Sequence, residues 1–372
     1  MKGKNLFAGI LAGSVLLISG CNKTKEQKVL VGGFTTGSEI GMSIFSFNDQ
    51  NGKMKLTGEY DAGASPSFFC FSAKYDLAYA VNEVDGFKGE KAGGVTTIKV
   101  SLNKPPEKAG ELPVAFGGPC HISISASGKF LFVASYASGS IAVVKVNSKG
   151  IPESVTDTIK FNSTDSLPSH PHMIAQDPFA RHIYLTDLGL DRVLVYDLDT
   201  VAGKIIRTPF QEVHVTKGSG PRHFSFNKSG TKMYLINELG SAMMTFDVAN
   251  DGTLNLIQTI RTTAEGFNGH NQSAAITISE DGRFLYGSNR GENSVVVFRI
   301  NNDGTLVCAG RSTCGGDWPR FFMLDPSGKY LLCGNQRSND ISVFRINETT
   351  GIPEGPVFKA PAKAPAFIGF IK

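Results

Sequence analysis

The sequence repeats at intervals of about fifty residues, and this period constrains the fold more than any other feature. The segment GPCHISIS, which begins at Gly118, has the same pattern as GPRHFSFN, which begins at Gly220. One key position of this pattern recurs at intervals of 53, 52, 50, 52, 46 and 46 residues. The seven key positions are Pro66, Pro119, Pro171, Pro221, Ser273, Pro319 and Pro365.

Each complete unit predicts four antiparallel strands. An alternating strand follows the key position, and a turn such as Ser127-Gly128-Lys129 leads into a second strand such as 130–134. A third strand such as 140–146, a glycine turn and a more variable fourth strand complete the unit. Glycine allows the positive φ angles of tight hairpin turns. Four strands in each such unit are typical of one blade of a β-propeller.

The two ends of the chain predict that the ring is closed. The last unit contains one strand, Ala366 to Ile371, and the first segment supplies Val29 to Phe34 and Ser43 to Phe47 before its own key position. Together they complete a seventh blade, which removes an exposed sheet edge. We predict an all-β fold, a single seven-bladed propeller of residues 28–372. Two separate β domains are the alternative, but no linker-like stretch interrupts the repeat.

Residues 1–20 resemble the signal peptide of a bacterial lipoprotein. Lys2 and Lys4 precede an apolar run, and LISGC, which ends at Cys21, resembles a lipobox. The resemblance implies cleavage before Cys21, lipid attachment at Cys21, a polar tether of residues 21–27, and a protein anchored in the cell envelope, at the periplasmic face or outer surface. An uncleaved anchor is the alternative, but the run is shorter than the roughly 20 apolar residues that span a bilayer.

Charge and cysteine content narrow the possible partners. The 37 basic and 33 acidic residues give a net charge of +4, and the signal peptide carries two of the basic residues, so nucleic acid is not an expected partner. Lipidation of Cys21 leaves five of the six cysteines. Cys308 and Cys314 either bridge a hairpin or remain buried thiols. No Cys/His cluster has zinc spacing, so we expect no metal or cofactor, and we expect a monomer.

Equivalent positions of the repeat predict which side chains surround the central opening. His172, Arg222 and Arg320 share the position one residue after the key position, which favours a functional site over isolated structural residues. His170, His182, His214 and His270 fall outside both positions and are predicted to be loop or surface residues. One residue after the key positions stand Ser67, Cys120, His172, Arg222, Ala274, Arg320 and Ala366. The next residues are Phe68, His121, Met173, His223, Ala275, Phe321 and Phe367.

A second ring of polar residues follows the second strand of six units. We expect its Asn, Asp and Ser residues to cap turns through hydrogen bonds with the backbone. We expect Glu83, Glu238, Arg290 and Gln336 to reach the opening. The pairs are Asn82-Glu83, Ser135-Tyr136, Asp187-Leu188, Asn237-Glu238, Asn289-Arg290 and Asn335-Gln336.

These side chains permit acid/base chemistry on an anion. Arg222, Arg290 and Arg320 have the forked donors that bind a phosphate or carboxylate. His172 or His121 is suited to proton transfer near neutral pH, and Glu238 to orienting that imidazole or activating water. The sequence contains no G-x-S-x-G, H-E-x-x-H or P-loop motif and no G-x-G-x-x-G that opens a helix. Metal-free catalysis and simple binding both remain open.

Five segments of the repeat carry a family resemblance: Gly220-Pro221-Arg222-His223, Asn237-Glu238-Leu239, Ser288-Asn289-Arg290, Pro319-Arg320-Phe321 and Gly334-Asn335-Gln336. They resemble the bacterial 6-phosphogluconolactonase family of seven-bladed propellers. That family is similar to fungal carboxy-muconate lactonizing enzymes. The resemblance implies hydrolysis of an anionic sugar lactone such as 6-phosphogluconolactone. It implies His172, Arg222, Glu238 and Arg290 as catalytic residues, with His121, His223, Arg320 and Gln336 in the site; Glu83 joins the substrate-binding set from its ring position.

Two features depart from the expected pattern. The fifth unit has Ser273-Ala274-Ala275 where family members can carry Asp and His, and the signal peptide separates the protein from cytosolic sugar metabolism. The alternatives are a non-catalytic surface propeller that binds a glycan or protein, and a muconate-type cycloisomerase. Whether His172 or Glu238 is the base, and which lactone is the substrate, stays open.

Overall fold

The computed structural model describes residues 26–37, 40–72, 74–114, 116–163 and 167–371, and the regular elements of these residues are thirty β-strands. The predicted signal peptide and Cys21 lie outside the described residues. Within those ranges, no helix is long and apolar enough to cross a membrane.

The strands form seven four-stranded antiparallel sheets, which confirms the predicted seven-bladed propeller. The first strands of neighbouring blades contact one another around the ring and are therefore innermost. Blade 3 carries an extra hairpin, β15 (Leu198–Asp199) and β16 (Lys204–Ile205), before its fourth strand. Blade 1 consists of β4 (Pro66–Ser72), β5 (Leu77–Asn82), β6 (Gly93–Lys99) and β7 (Glu107–Val114). Blade 2 consists of β8 (Pro119–Ile124), β9 (Phe130–Ser135), β10 (Ser140–Val146) and β11 (Pro152–Lys160). Blade 3 consists of β12 (Pro171–Gln176), β13 (Ile183–Asp187), β14 (Arg192–Tyr196) and β17 (Gln211–His214).

Blades 4 to 6 repeat the same arrangement without an inserted hairpin. Their second strands are almost completely buried, whereas the fourth strands alternate or are largely exposed, which explains why the fourth strand of the repeat varies most in sequence. Blade 4 consists of β18 (Pro221–Phe226), β19 (Lys232–Asn237), β20 (Ala242–Val248) and β21 (Leu254–Arg261). Blade 5 consists of β22 (Gln272–Ile278), β23 (Phe284–Arg290), β24 (Ser294–Ile300) and β25 (Leu306–Thr313). Blade 6 consists of β26 (Pro319–Leu324), β27 (Tyr330–Asn335), β28 (Asp340–Ile346) and β29 (Pro353–Pro361).

Blade 7 combines the two ends of the propeller, as the repeat predicts. Strand β30 (Pro365–Ile371) pairs with β1 (Glu26–Gly33), which β2 (Met42–Asn48) and β3 (Met54–Tyr60) follow. Strand β1 begins two residues before the predicted boundary at residue 28, because Glu26 and Gln27 pair with β2. Residues 26 and 27 therefore belong to the propeller and not to the predicted tether.

Hydrophobic clusters lie between all seven pairs of neighbouring blades. Between blades 1 and 2, for example, Val81 and Val95 pack with Ile122 and Val133. Each fully buried aliphatic side chain stabilises the fold by roughly 1.5–3 kcal/mol relative to an exposed one. The core is thus a ring of interfaces that encloses the central opening.

Buried tyrosines tie several blades to the next blade. Tyr234 of β19 donates its hydroxyl hydrogen bond to the backbone oxygen of Gly304, in the β24–β25 turn, at 3.0 Å. Because Gly304 has a φ of 86°, the turn suits glycine. Equivalent bonds join Tyr79 to Gly150, Tyr184 to Gly252, Tyr286 to Gly351 and Tyr330 to Gln50.

The five described cysteines are free thiols, so Cys308 and Cys314 do not form the disulfide that the sequence left open. Cys314 is buried, in agreement with the other interpretation, but Cys308 is exposed on β25. Its strand is the outer one of blade 5, and this position faces solvent rather than a neighbouring blade.

Candidate functional site

A β-bulge lies at the start of every innermost strand. In blade 4, Pro221 pairs with Asn237 and His223 pairs with Ile236, which leaves Arg222 out of the ladder. A bulge redirects its side chain, and this explains why the residue after each key position belongs to one ring. The same register shift occurs at Ser67, Cys120, His172, Ala274, Arg320 and Ala366.

Aromatic rings close the opening one residue further along these strands. The ring of Phe68 lies 4.5 Å from His121, 5.8 Å from His223, 5.7 Å from Phe321 and 5.0 Å from Phe367, measured between centroids. His121 and His223 are 3% and 5% exposed. These two predicted substrate-binding residues thus form the floor of the site together with phenylalanines.

Glu238 joins two buried arginines. Its Oε2 accepts a hydrogen bond from Arg222 Nε at 2.8 Å and lies 2.8 Å from Arg290 Nη2. Arg222 also donates to the backbone oxygen of Ala274 at 2.7 Å, and Arg290 Nε donates to that of Gln272 at 3.1 Å. Because rigid strands supply these acceptors, both guanidinium groups have fixed positions. We call this group the Arg222–Glu238–Arg290 cluster.

The site carries more positive than negative charge. Arg320, at the bulge of blade 6, makes no ion pair among the described residues and lies over the ring of Phe34 at 4.8 Å. Burial, together with the charges of Arg290 and Arg320, lowers the pKa of Arg222 to about 9. Arg222 therefore remains charged at neutral pH, and a bound anion would relieve its repulsion by the neighbouring arginines.

His172 is a neutral imidazole beside this cluster. Burial first, and then the charges of Arg222 and Arg320, lower its pKa well below 6.5. Its Nδ1 is buried and has no hydrogen-bond partner in the described part of the chain. Burial and Arg222 similarly lower the pKa of His121 to about 3. The sequence raised the possibility that Glu238 orients an imidazole, but in the structure its carboxylate binds the two arginines instead.

Glu83 and Gln336 border the site from blades 1 and 6. Glu83 Oε2 accepts a hydrogen bond of 2.5 Å from Ser67, another bulged residue. Gln336 Oε1 is buried and has no partner within the described ranges, so it is available to accept a hydrogen bond from a substrate hydroxyl group. In the part of the chain that the structure describes, no three His, Cys, Asp or Glu side chains are grouped as metal ligands.

Sequence reasoning missed Tyr136 and Trp318. Tyr136 stacks on His170 with a centroid distance of 4.2 Å and contacts His172 edge-on at 5.7 Å. The ring of Trp318 lies near two guanidinium groups, with its centroid 5.3 Å from Arg290 Cζ and 3.4 Å from Arg337 Cζ. Tyr136 belongs to the second ring of the repeat, and Trp318 directly precedes a key proline. These positions in the repeat could have indicated that both aromatic residues lie near the site.

The Asn residues of the second ring have the predicted structural role. Asn82, Asn289 and Asn335 are completely buried. Each donates its side-chain N–H to a backbone oxygen of a loop. The neighbouring residues Glu83, Arg290 and Gln336 are therefore the members of these pairs whose side chains border the site.

The four remaining histidines are loop or surface residues, as predicted, although His170 and His182 are loop residues that are not exposed. His182 is buried, not a surface residue, because its nitrogens bond to Asp197 and to the backbone oxygen of Asp251. His170 is partly buried against Tyr136. His214 and His270 are exposed, as predicted.

Comparison with known proteins identifies relatives across nearly the whole propeller. A 6-phosphogluconolactonase from Formosa agariphila is 32% identical over 310 residues, covering 80% of this chain and 86% of the relative. A 6-phosphogluconolactonase from Bacillus subtilis is 27% identical over 311 residues, with coverage of 80% and 84%.

Solved structures show the same architecture. A periplasmic gluconolactonase from Pseudomonas aeruginosa superimposes with a TM-score of 0.87 at 28% identity, covering 94% of this chain and 99% of that one. A structure described as a putative 6-phosphogluconolactonase from Bacteroides fragilis gives a TM-score of 0.84 at 29% identity, with coverage of 93% and 98%. The family model for lactonases with a seven-bladed β-propeller matches residues 28–370. The chain therefore belongs to the seven-bladed β-propeller lactonase family.

Proposed function

We propose that the protein hydrolyses the lactone of a sugar acid that carries a second, negatively charged group. The observation that carries this proposal is the presence of Arg222, Arg290 and Arg320 in the opening of a lactonase-family propeller, where Glu238 contacts the first two of them. The relatives named 6-phosphogluconolactonase support the substrate class.

The proposed base is His172. The imidazole of His172 is neutral, and its Nδ1 has no hydrogen-bond partner among the described residues, so this nitrogen can accept a proton from water. Glu238 is less suited to this role because two guanidinium groups occupy its Oε2. We assign Glu238 to holding Arg222 and Arg290 in place.

The reaction then proceeds without a covalent enzyme intermediate. Water adds to the lactone carbonyl carbon while its proton moves to His172, and the carbonyl becomes a tetrahedral oxyanion. The free donors of Arg222 and Arg290 stabilise this oxyanion, a contribution of about 10²–10³ in kcat per donor in other enzymes. When the ring C–O bond breaks, the leaving oxygen takes the proton back from His172, which yields the open-chain acid.

The test is a hydrolysis assay of residues 26–372 on 6-phosphogluconolactone and on unphosphorylated gluconolactone, with spontaneous hydrolysis subtracted. We expect a rate above background on at least one lactone, and a decrease of about a hundredfold in Arg290→Gln. Arg299→Gln, on the exposed side of β24, is the matched control and should retain the rate. Absence of any enzymatic rate on either lactone would contradict the proposal.

A second assay separates the roles of His172 and Glu238. If His172 is the base, His172→Ala lowers kcat and leaves KM nearly unchanged. Glu238→Gln should raise KM as well, because it disturbs the arginines that bind the substrate. The opposite pattern would assign the base to Glu238.

We also propose that Cys21 anchors the protein in the cell envelope as a monomer. The N-terminal sequence supports this location, and strand β1 begins at Glu26, close to the proposed anchor. The similarity to a periplasmic gluconolactonase is consistent with it. Mass analysis of the mature N-terminus should find a diacylglycerol-modified Cys21; a free thiol or retained residues 1–20 would contradict the anchor. Elution of the propeller as a dimer would contradict the monomer.

A further inference from the structure

Trp318 occupies a backbone conformation that disfavours large side chains. Its φ is 67°, in the left-handed region that residues with a Cβ rarely adopt. The residue before the key proline has a positive φ in four other blades, where it is Gly118, Gly220, Ser65 or Ala364. Only small residues occupy those four positions. A tryptophan in blade 6 therefore requires a reason other than the turn itself.

Backbone hydrogen bonds hold this tryptophan against the next turn. The N–H of Trp318 donates to Asn293 Oδ1 at 3.0 Å, and its carbonyl oxygen accepts from the N–H of Gln336 at 3.0 Å. The N–H of Arg337 donates to the oxygen of Asp317 at 3.2 Å. Trp318 and Arg337 are thus fixed relative to each other at the entrance of blade 6.

The neighbours of the indole are cationic. Its ring centre lies 3.4 Å from Arg337 Cζ and 5.3 Å from Arg290 Cζ. Arg337 is exposed and makes no ion pair within the described ranges. Burial lowers the pKa of Arg290, and the nearby charges of Arg320 and Arg337 add to this effect. Arg290 and Arg337 thus both adjoin the Trp318 ring, and Arg320 follows Trp318 by two residues in the chain.

We propose that Trp318, Arg320 and Arg337 form an outer subsite that binds an anionic group on the tail of the substrate. In the Arg222–Glu238–Arg290 cluster, glutamate and backbone oxygens occupy many of the guanidinium donors. Arg320 and Arg337 instead lie over the rings of Phe34 and Trp318, and among the described residues their guanidinium N–H groups have no hydrogen-bond acceptor. This inference rests on the proposed function, with the inner cluster acting on the lactone carbonyl.

Both phosphate and carboxylate fit this chemistry, and the choice of substrates distinguishes them. The test compares kcat/KM on 6-phosphogluconolactone, on glucarolactone, which carries a carboxylate, and on uncharged gluconolactone. We expect the wild type to prefer at least one charged lactone. Arg337→Gln should lower the ratio of charged to uncharged kcat/KM about tenfold, since it removes one charge-assisted contact. Arg345→Gln, at an exposed position of β28, is the control and should leave the ratio unchanged.

Trp318→Gly provides a second variant that does not strain the fold. Glycine occupies the equivalent position in two blades and suits the positive φ, so the melting temperature should stay the same or rise. The ratio should nevertheless fall as in Arg337→Gln. A ratio within twofold of the wild type in both variants would overturn the subsite.

A binding measurement keeps this inference separate from the proposed function. Inorganic phosphate should raise the melting temperature of the wild type, and Arg337→Gln should lose most of that increase. If no lactone is hydrolysed but this difference is found, the anion subsite stands and the lactonase proposal fails. Equal stabilisation of both proteins, or none of either, would overturn the subsite whatever the activity.

Discussion

Replacing Glu238 with Gln should destabilise the propeller, because the Glu238 carboxylate contacts both Arg222 and Arg290. The two arginines are 2% and 3% exposed, so water cannot replace the lost charge. Removing one partner of a buried ion pair costs about 3–5 kcal/mol. With an unfolding entropy of about 2.1 cal/mol/K per residue over about 350 residues, the melting temperature should fall by about 4–7 °C.

The assay is thermal unfolding in a buffer without phosphate or sulfate. The matched control is Glu153→Gln, since Glu153 pairs with Lys145 at 3.6 Å and the two side chains are 52% and 55% exposed. Exposed pairs contribute about 0–1 kcal/mol, so the control should melt within about 1 °C of the wild type. Added phosphate should restore part of the loss in Glu238→Gln. A loss no larger than that of the control would refute the role of Glu238 as the compensating charge.

Three further predictions concern stability and thiol chemistry. Tyr234→Phe removes the hydrogen bond to Gly304 and should lower the free energy of unfolding in urea by about 1 kcal/mol; an unchanged value would contradict the blade-to-blade bond. Burial lowers the pKa of His121, His172 and His223, so the unfolded chain binds more protons below about pH 6.5. The free energy of unfolding should therefore have its full value above that pH and fall by about 4 kcal/mol per pH unit between about pH 6 and 5. In His172→Gln this slope should be about one third smaller. Equal slopes in the two proteins would contradict the prediction. A protein that begins at residue 26 should show one fast-reacting thiol, Cys308, when native and five when unfolded, whereas only three in the unfolded protein would indicate a disulfide.

The sequence predicted the blades because their signals are local and repeated. Six of the seven innermost strands begin at a key proline, and the seventh begins one residue before Ser273. The hairpin of β15 and β16 was not predicted, because it occurs in blade 3 alone and has no counterpart in the repeat. The start of β1 was missed by three residues, since polar residues at a strand end give no periodic signal.

The repeat also predicted which side chains surround the opening, because equivalent backbone positions point the same way in every blade. It did not reveal the bulges that turn Arg222 and His172 out of their ladders. Nor did it show that Glu238 binds arginines rather than an imidazole, because a repeat aligns backbone positions and does not give the distances between side chains within a blade or across neighbouring blades. Trp318 lay outside the two aligned positions, although a positive φ precedes five of the six key prolines and is itself a repeated feature.

A crystal structure with bound 6-phosphogluconate, the product of the proposed reaction, tests the central claim most directly. The account predicts the product carboxylate at Arg222 and Arg290 and the phosphate at Arg320 and Arg337, each at hydrogen-bonding distances of about 2.7–3.2 Å. Product bound elsewhere, for example in the cleft of about 560 Å³ lined by Leu239, Phe267 and His270, with no anion at the arginines, would contradict it.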